Sequence, residues 1–244
     1  MVILRNIFHR LLNLVLPVDC SSCGIGLTDD PVPFFCRQCW GDIRPLQGPA
    51  CPRCGRPFAS PVTMTYSPTH HCAACRHRRP AFTQAWSLYP YTPPLRDAIR
   101  LFKYRRKVVL ADALGDLFSG PWPQLPELDV VIPVPLHSSR LREREFNQSL
   151  LLADRLNHHL RLPLSHDNLV RTRATRLQTE LSRSARLRNL RRSFVVRRPD
   201  DVAGKRILLV DDVLTTGTTV NECAKALRRA GSGDVYVGTL ARAI

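Results

Sequence analysis

From about residue 82 onward, apolar runs of strand length alternate with stretches of helical period. Ala85 to Tyr91 predicts a strand. Pro93 and Pro94 open a helix that carries Leu95, Ala98, Ile99 and Phe102 three and four apart, on one face. Val108 to Phe118 predicts a second helix. Asp129 to Val134 is a short apolar run closed by Pro133 and Pro135, the pattern of a buried strand leading into a loop. Phe146 to Leu160 predicts a helix with Leu150, Leu151, Ala153 and Leu156 as its apolar side. Ile207 to Val210 predicts a strand, Thr218 to Ala230 a helix stopped by Gly231, and Val235 to Leu240 a final strand. Strand and helix in alternation predict an α/β fold with a mostly parallel sheet flanked by helices.

The first third reads differently. Residues 17 to about 80 hold eight of the nine cysteines and few long apolar runs. Asp30 to Phe34 and Ala59 to His71 are rich in turn-forming and hydroxyl residues and read as loops. Ahead of them, Leu4, Ile7, Phe8, Leu11, Leu12 and Val15 follow helical spacing, and Pro17 ends the run. Arg5, Asn6, His9, Arg10 and Asn13 interrupt it too often for a secretory core or a membrane span. The expected organisation is a docking helix over residues 1–16, a small metal-stapled module over 17–80, and the α/β domain over 82–244. No transmembrane segment is expected, and the expected compartment is the cytoplasm.

The cysteines form four CxxC pairs: Cys20 and Cys23, Cys36 and Cys39, Cys51 and Cys54, Cys72 and Cys75. Two thiolates three positions apart bite one metal from a tight turn, and zinc takes four such ligands in a tetrahedron. Eight thiols therefore match two structural zinc sites. Cys23 and Cys54 are followed by Gly24 and Gly55, whereas Cys39 and Cys75 are not. The order glycine knuckle, plain pair, then the same again predicts two consecutive ribbons rather than a cross-brace. Cys20, Cys23, Cys36 and Cys39 hold one ion; Cys51, Cys54, Cys72 and Cys75 hold the other. About 60 residues bury too little surface to fold without such staples. Disulfides would need an oxidising compartment. His70 and His71 stand beside Cys72 as alternative ligands or loop residues, and Cys223 reads as a core residue of its helix.

Composition then bounds the partners. Apolar residues make up 44% and charged residues 23% of the 244, which excludes a disordered or collagen-like chain. The net charge is +16. Between Arg140 and Arg198 stand 15 arginines against five acids, a local +10. A genome rich in arginine codons accounts for Arg over Lys better than for this excess. An excess of this size points to an anionic partner. The densest part, Arg171 to Arg198, reads as a hood over the site. Its arginines serve either to clamp pyrophosphate or to track single-stranded DNA, with Arg183, Arg186, Arg188 and Arg191 as the candidate nucleic-acid contacts. Phe146 and Phe194 are sparse for a stacking platform.

The sharpest chemistry lies in the run from Ile207 to Thr219. Four apolar residues lead into Asp211 and Asp212, then Thr215, Thr216, Gly217, Thr218 and Thr219 open a helix. Ligands of parallel sheets bind beyond the carboxyl ends of strands. Adjacent carboxylates there accept hydrogen bonds from vicinal hydroxyls, and a hydroxyl-rich turn at a helix start cradles phosphate. A sugar phosphate satisfies both halves. A receiver domain places its acidic pair near the domain start, and no GxxxxGK[ST] run exists for a P-loop.

This run resembles the phosphoribosyl pyrophosphate signature of type I phosphoribosyltransferases. With Val131 to Leu136, Arg144 to Gln148, Leu169 to Arg173, Gln178, Arg186, Asn189 and Phe194, the chain resembles the ComF family of GntX-like DNA-utilisation and competence proteins. The resemblance extends to the cysteine module, and one departure is Glu145, where the family has glycine. It implies that Asp211 and Asp212 act as the catalytic acids and hold the ribose 2′ and 3′ hydroxyls. It assigns the 5′-phosphate to Thr215–Thr219 and the pyrophosphate to Arg140 and Arg144, with magnesium as companion ion. It further implies a role in DNA uptake or use, with competence or DNA-processing proteins at the membrane as partners. Purine-salvage members carry an acid at the position of Thr215, so its absence argues against a purine acceptor. Two classes of function follow: a phosphoribosyltransferase, or a non-catalytic sensor of that metabolite or of a nucleotide that binds single-stranded DNA.

Overall fold

The computed structural model describes residues 18–60, 67, 69–173 and 193–244. Before the α/β domain come two short helices, α1 (Arg37–Gly41) and α2 (Ala73–His77), each starting at a cysteine. Then follow β1 (Gln84–Pro90), α3 (Leu95–Tyr104), α4 (Ala111–Phe118), β2 (Val130–Pro133), α5 (Ser138–Arg144) and α6 (Gln148–Leu160). The chain ends with β3 (Leu169–Arg171), β4 (Phe194–Val196), β5 (Ile207–Leu214), α7 (Thr218–Arg229) and β6 (Val235–Arg242). The expected docking helix over residues 1–16 lies outside the described residues.

Among the described residues the main sheet has four strands in the order β1-β6-β5-β2, every neighbouring pair parallel. β5 is an inner strand, buried on both faces, so its side chains alternate between two apolar layers. Ile207 and Leu209 join Val220, Cys223, Ala224 and Leu227 of α7. Leu208 and Val210 join Leu95, Ile99 and Phe102 of α3, Leu114 and Phe118 of α4, and Leu152 and Leu156 of α6.

The cysteine module is built into both layers. Cys51, Cys54, Cys72 and Cys75 belong to the α7 layer, whereas Cys20, Val32 and Phe35 belong to the α3–α4–α6 layer. The two ribbons thus straddle the sheet at β1. Leu46 N donates to Leu88 O at 2.7 Å and Ala85 N to Arg53 O at 2.9 Å. The segment between the ribbons and the first knuckle of the second ribbon thereby cover the outer edge of β1, a row of polar groups that a sheet has to shield.

Several elements depart from the sequence reading. The strand expected to stop at Val210 runs on to Leu214, because Val213 and Leu214 still pair with Ala241 and Arg242 of β6. The expected helix 108–118 is a single 3-10 turn, Val108–Leu110, followed by α4. The helix expected from Phe146 starts at Gln148, with Asn147 Oδ1 accepting from Ser149 N at 3.1 Å as its cap. Its buried stripe is Ser149, Leu152, Ala153 and Leu156, and Leu150 and Leu151 are half-buried. Among the described residues, no helix is long and apolar enough to cross a membrane.

Candidate functional site

The acidic pair stands near the carboxyl end of β5, where Asp211 is aligned with Thr239 of β6. Adjacent strand residues project to opposite faces, and the two carboxylates have different partners. Asp211 Oδ1 accepts from Ser149 Oγ at 2.9 Å and from Asp212 N at 3.0 Å. Asp212 is buried, and its Oδ2 lies 2.7 Å from Lys103 Nζ of α3. Burial, then the charge of Asp212, pushes the Asp211 carboxyl up to about 7, against the pull of Lys103. Burial opposes the charge of Lys103, but Asp212 and then Asp211 more than offset this and raise its pKa.

Beyond Leu214 the chain leaves the sheet. Gly217 takes a φ of +75° and serves as N-cap of α7, a conformation in which a Cβ is strained. Thr216 and Thr218 hydroxyls lie 2.9 Å apart, and the first intrahelical bond, Asn221 N to Gly217 O, is 3.0 Å long. The N–H groups of Thr218, Thr219 and Val220 precede that bond and face the positive end of the helix dipole. Thr215 and Thr216 are exposed, and Thr218 and Thr219 are half-buried. Loop and carboxylates therefore lie consecutively at one end of the sheet.

The segment after β2, expected as a loop, contains α5, which carries both predicted arginines. Arg144 is buried, with its guanidinium over the Tyr104 ring at 5.1 Å. Arg140 is half-buried and close enough to Arg171 that its charge, after burial, depresses the Arg171 pKa. Asp211 acts on Arg171 in the opposite sense, so Arg171 belongs to the same cluster. Glu145 holds a φ of +70° as C-cap of α5, a left-handed position that glycine adopts without strain.

The base of the arginine-rich excursion is the antiparallel pair β3–β4. Phe194 is buried there, and Phe146 packs on Phe102 with ring centroids 5.0 Å apart, so neither is an open stacking surface. Arg183, Arg186, Arg188 and Arg191, with Gln178 and Asn189, lie outside the described residues.

Both four-cysteine sets converge as the consecutive-ribbon reading requires, with all sulfurs of a set within 4.8 Å of one another. Cys23 and Cys36 sulfurs are 3.8 Å apart, and Cys54 and Cys72 sulfurs 3.6 Å. A zinc tetrahedron with bonds of about 2.3 Å has edges of about 3.8 Å, so the donors fit the ion. The cross-brace is thereby excluded, and neither histidine belongs to these sets. Backbone amides support the thiolates: Cys36 N donates to Cys20 Sγ and Cys72 N to Cys51 Sγ, both at 3.4 Å. Burial pushes Cys20 up, but amide donors led by Cys36 pull it down to about 6; Cys51, balanced the same way with Cys72 first, falls to about 7. Cys223 is fully buried in the core, as expected, and burial raises its pKa well above the usual thiol range.

Sequence reasoning missed Ser149, Lys103 and Arg171 as members of the site. Arg171 stood in a recognised motif, but Lys103 read as the polar face of an amphipathic helix. A cavity of about 480 Å3 also adjoins the loop, with Leu214, Thr216, Gly217, Thr218 and Asn221 on one wall and the second ribbon on the other.

Family models match both parts of the chain. A family model described as "Double zinc ribbon domain" matches residues 11–76, and one described as "Phosphoribosyl transferase domain" matches residues 147–243. The chain is 37% identical over 202 residues to DNA utilization protein YhgH of Salmonella typhimurium, covering 80% of this chain and 84% of that one. It is 29% identical over 223 residues to competence protein F of Haemophilus influenzae, covering 86% and 97%. Among solved structures, a purine phosphoribosyltransferase from Pyrococcus horikoshii Ot3 is 22% identical with a TM-score of 0.29, covering 57% of this chain and 70% of that one.

Proposed function

Because the chain belongs to the family of DNA utilization protein YhgH and competence protein F, we propose that its α/β domain binds phosphoribosyl pyrophosphate together with magnesium and works in the handling of DNA. The observation that carries this reading is the succession Asp211, Asp212 and the threonine loop at one end of the sheet. The amides of α7 and the hydroxyls of Thr215, Thr216, Thr218 and Thr219 hold the 5′-phosphate around Gly217. Asp211 and Asp212 accept the vicinal ribose hydroxyls. Lys103 orients Asp212, and Ser149 orients Asp211.

Arg140 and Arg144 of α5 lie on the pyrophosphate side, with Arg171 beside Arg140. In a transfer reaction the bond from ribose C1 to pyrophosphate breaks as the acceptor bond forms, and positive charge develops on the ring. The chain's part is to fix the ribose and to stabilise the departing pyrophosphate with these cations. Magnesium, when bound with the ligand, neutralises pyrophosphate charge. Thr215, at a position where purine-salvage enzymes carry an acid, favours an acceptor other than a purine base. The cytoplasm, where thiolates persist for zinc, is the compartment this reading requires.

Calorimetry with phosphoribosyl pyrophosphate and magnesium tests the reading. Asp211→Asn with Asp212→Asn should abolish measurable binding, and unchanged affinity would remove it. Pyrophosphate release then separates an enzyme from a sensor. The sensor reading is favoured by one observation, the local +10 between Arg140 and Arg198. Charge reversal at Arg183, Arg186, Arg188 and Arg191 should weaken single-stranded DNA binding and flatten its salt slope.

A further inference from the structure

Arg242 is a buried cation without a carboxylate. It stands on β6, an inner strand of the main sheet, and is 3% exposed. Among the described residues it takes part in no ion pair with an acid. A charge taken out of water is costly unless something answers it. What the guanidinium meets is the second cysteine set. Nη1 donates to Cys54 O at 2.5 Å and Nη2 to Cys54 Sγ at 3.7 Å. The backbone of Arg242 is fixed from both sides, aligned with Pro90 of β1 and Leu214 of β5, and its carbonyl accepts from Tyr91 N at 2.7 Å.

The cysteine set has the complementary need. One zinc ion with four thiolates has a net charge of about −2, and Cys51, Cys54, Cys72 and Cys75 are all buried. The first set differs. Cys23 is exposed and Cys36 and Cys39 are half-buried, so water screens that centre. Among the described residues, sulfurs of the first set accept from backbone amides or lie against one another, and none meets an arginine or lysine. A buried cation lacking an acid and a buried anionic centre therefore answer one another at Cys54.

We propose that Arg242 is a positioning residue of the second metal site, orienting Cys54 and offsetting the charge of its thiolate centre from the last strand of the α/β domain. Arginine suits the task better than lysine, because its planar fork reaches the carbonyl and the sulfur of one residue together. Outer partners of this kind set how tightly a site holds its ion. The two residues stand 188 positions apart, so the second site is made by both halves of the chain. Metal loading and the seating of β6 are then one event. Without the ion the guanidinium is buried beside no anionic centre, and without the guanidinium the centre lacks its cation. The assignment is independent of the phosphoribosyl reading.

The test uses the zinc-loaded full chain and follows withdrawal of the metal by a chromogenic chelator, with the first ribbon as internal reference. Cys23→Ser in each background identifies the phase that belongs to the first set. Arg242→Met should speed release from the second set about tenfold or more and leave the first set within about twofold. Arg242→Lys, which keeps the charge and gives up the fork, should fall between. Refolding the reduced chain with Co2+ gives a second reading. The thiolate-to-cobalt absorption of the second equivalent should need about tenfold more Co2+ in Arg242→Met, with the first equivalent unmoved. If the methionine variant does not fold, the lysine variant decides by the same comparison: selective loosening of the second set supports the proposal. Release from the second set at the unmodified rate would overturn it. So would equal loosening of both sets, the signature of a residue that only supports the fold.

Discussion

Arg106 Nη1 and Glu145 Oε1 meet at 2.7 Å, and both residues hold a left-handed backbone, with φ of +52° and +70°. The pair joins the chain just after α3 to the end of α5, which carries the arginines of the proposed site. Both side chains are more than half exposed, so the ion pair is worth about 0–1 kcal/mol. The left-handed backbone at Glu145 opposes folding by about 1–2 kcal/mol. Glu145→Gly removes the strain and the pair together, whereas Glu145→Ala removes the pair and keeps the strain. Thermal melting should therefore rank glycine above alanine, with glycine at or slightly above the unmodified chain. The reverse ranking would show that the pair outweighs the backbone.

The contact between Lys103 and Asp212 sets a second expectation. Lys103→Met leaves a buried carboxylate without its cation, a loss of about 3–5 kcal/mol. Adding Asp212→Asn should restore part of it. Urea midpoints of the two single variants and the double variant measure the coupling. Additive midpoints would deny that the pair acts as a unit.

Asp211 gives a pH dependence. Its folded pKa of about 7 stands above its ordinary value of 3.8, so the folded state binds more protons between those two values. Its contribution to stability is therefore largest below about pH 4 and declines as pH rises through 7. Ligand binding runs the other way, because the ionised carboxylate is the better acceptor for a ribose hydroxyl. Affinity for phosphoribosyl pyrophosphate should rise between about pH 6 and 8. Asp211→Asn should flatten that rise, and a rise that persists unaltered would assign it to another group.

The two metal sites should differ in lability. Cys23 is exposed and Cys36 and Cys39 are half-buried, whereas all four ligands of the second set are buried. A chromogenic chelator should therefore withdraw zinc in two phases, the fast one from the first ribbon. Cys23→Ser should remove the fast phase. Loss of the second ion, whose ligands sit in the same apolar cluster as α7, should lower the melting temperature more than loss of the first. A single uniform phase would contradict the burial difference.

Much of this was legible in the chain. The eight cysteines announced both metal sites through spacing alone, because a CxxC turn is a local device. The alternation of Ile207 to Val210 with Thr218 to Ala230 announced the parallel sheet, and the threonine loop needed no distant partner to be recognised. The missing parts are long-range. Ser149 meets Asp211 across 62 positions and Arg242 meets Cys54 across 188, and no periodicity encodes such meetings. Strand β5 was read too short because Asp211 and Asp212 break an apolar run while the backbone continues its pairing. Helix α5 was missed because its arginines and serines carry no apolar stripe.

The way the segment between the ribbons lies along β1 has a practical consequence. A chain shortened to begin at Phe82 would keep every strand and the threonine loop, yet it would bare the unpaired flank of β1 from Ala85 to Leu88. Such a flank is a template for adding another chain. The α/β half made alone should self-associate into sheet-rich oligomers, which would make the cysteine module a guard for its neighbour during synthesis as well as in the finished molecule.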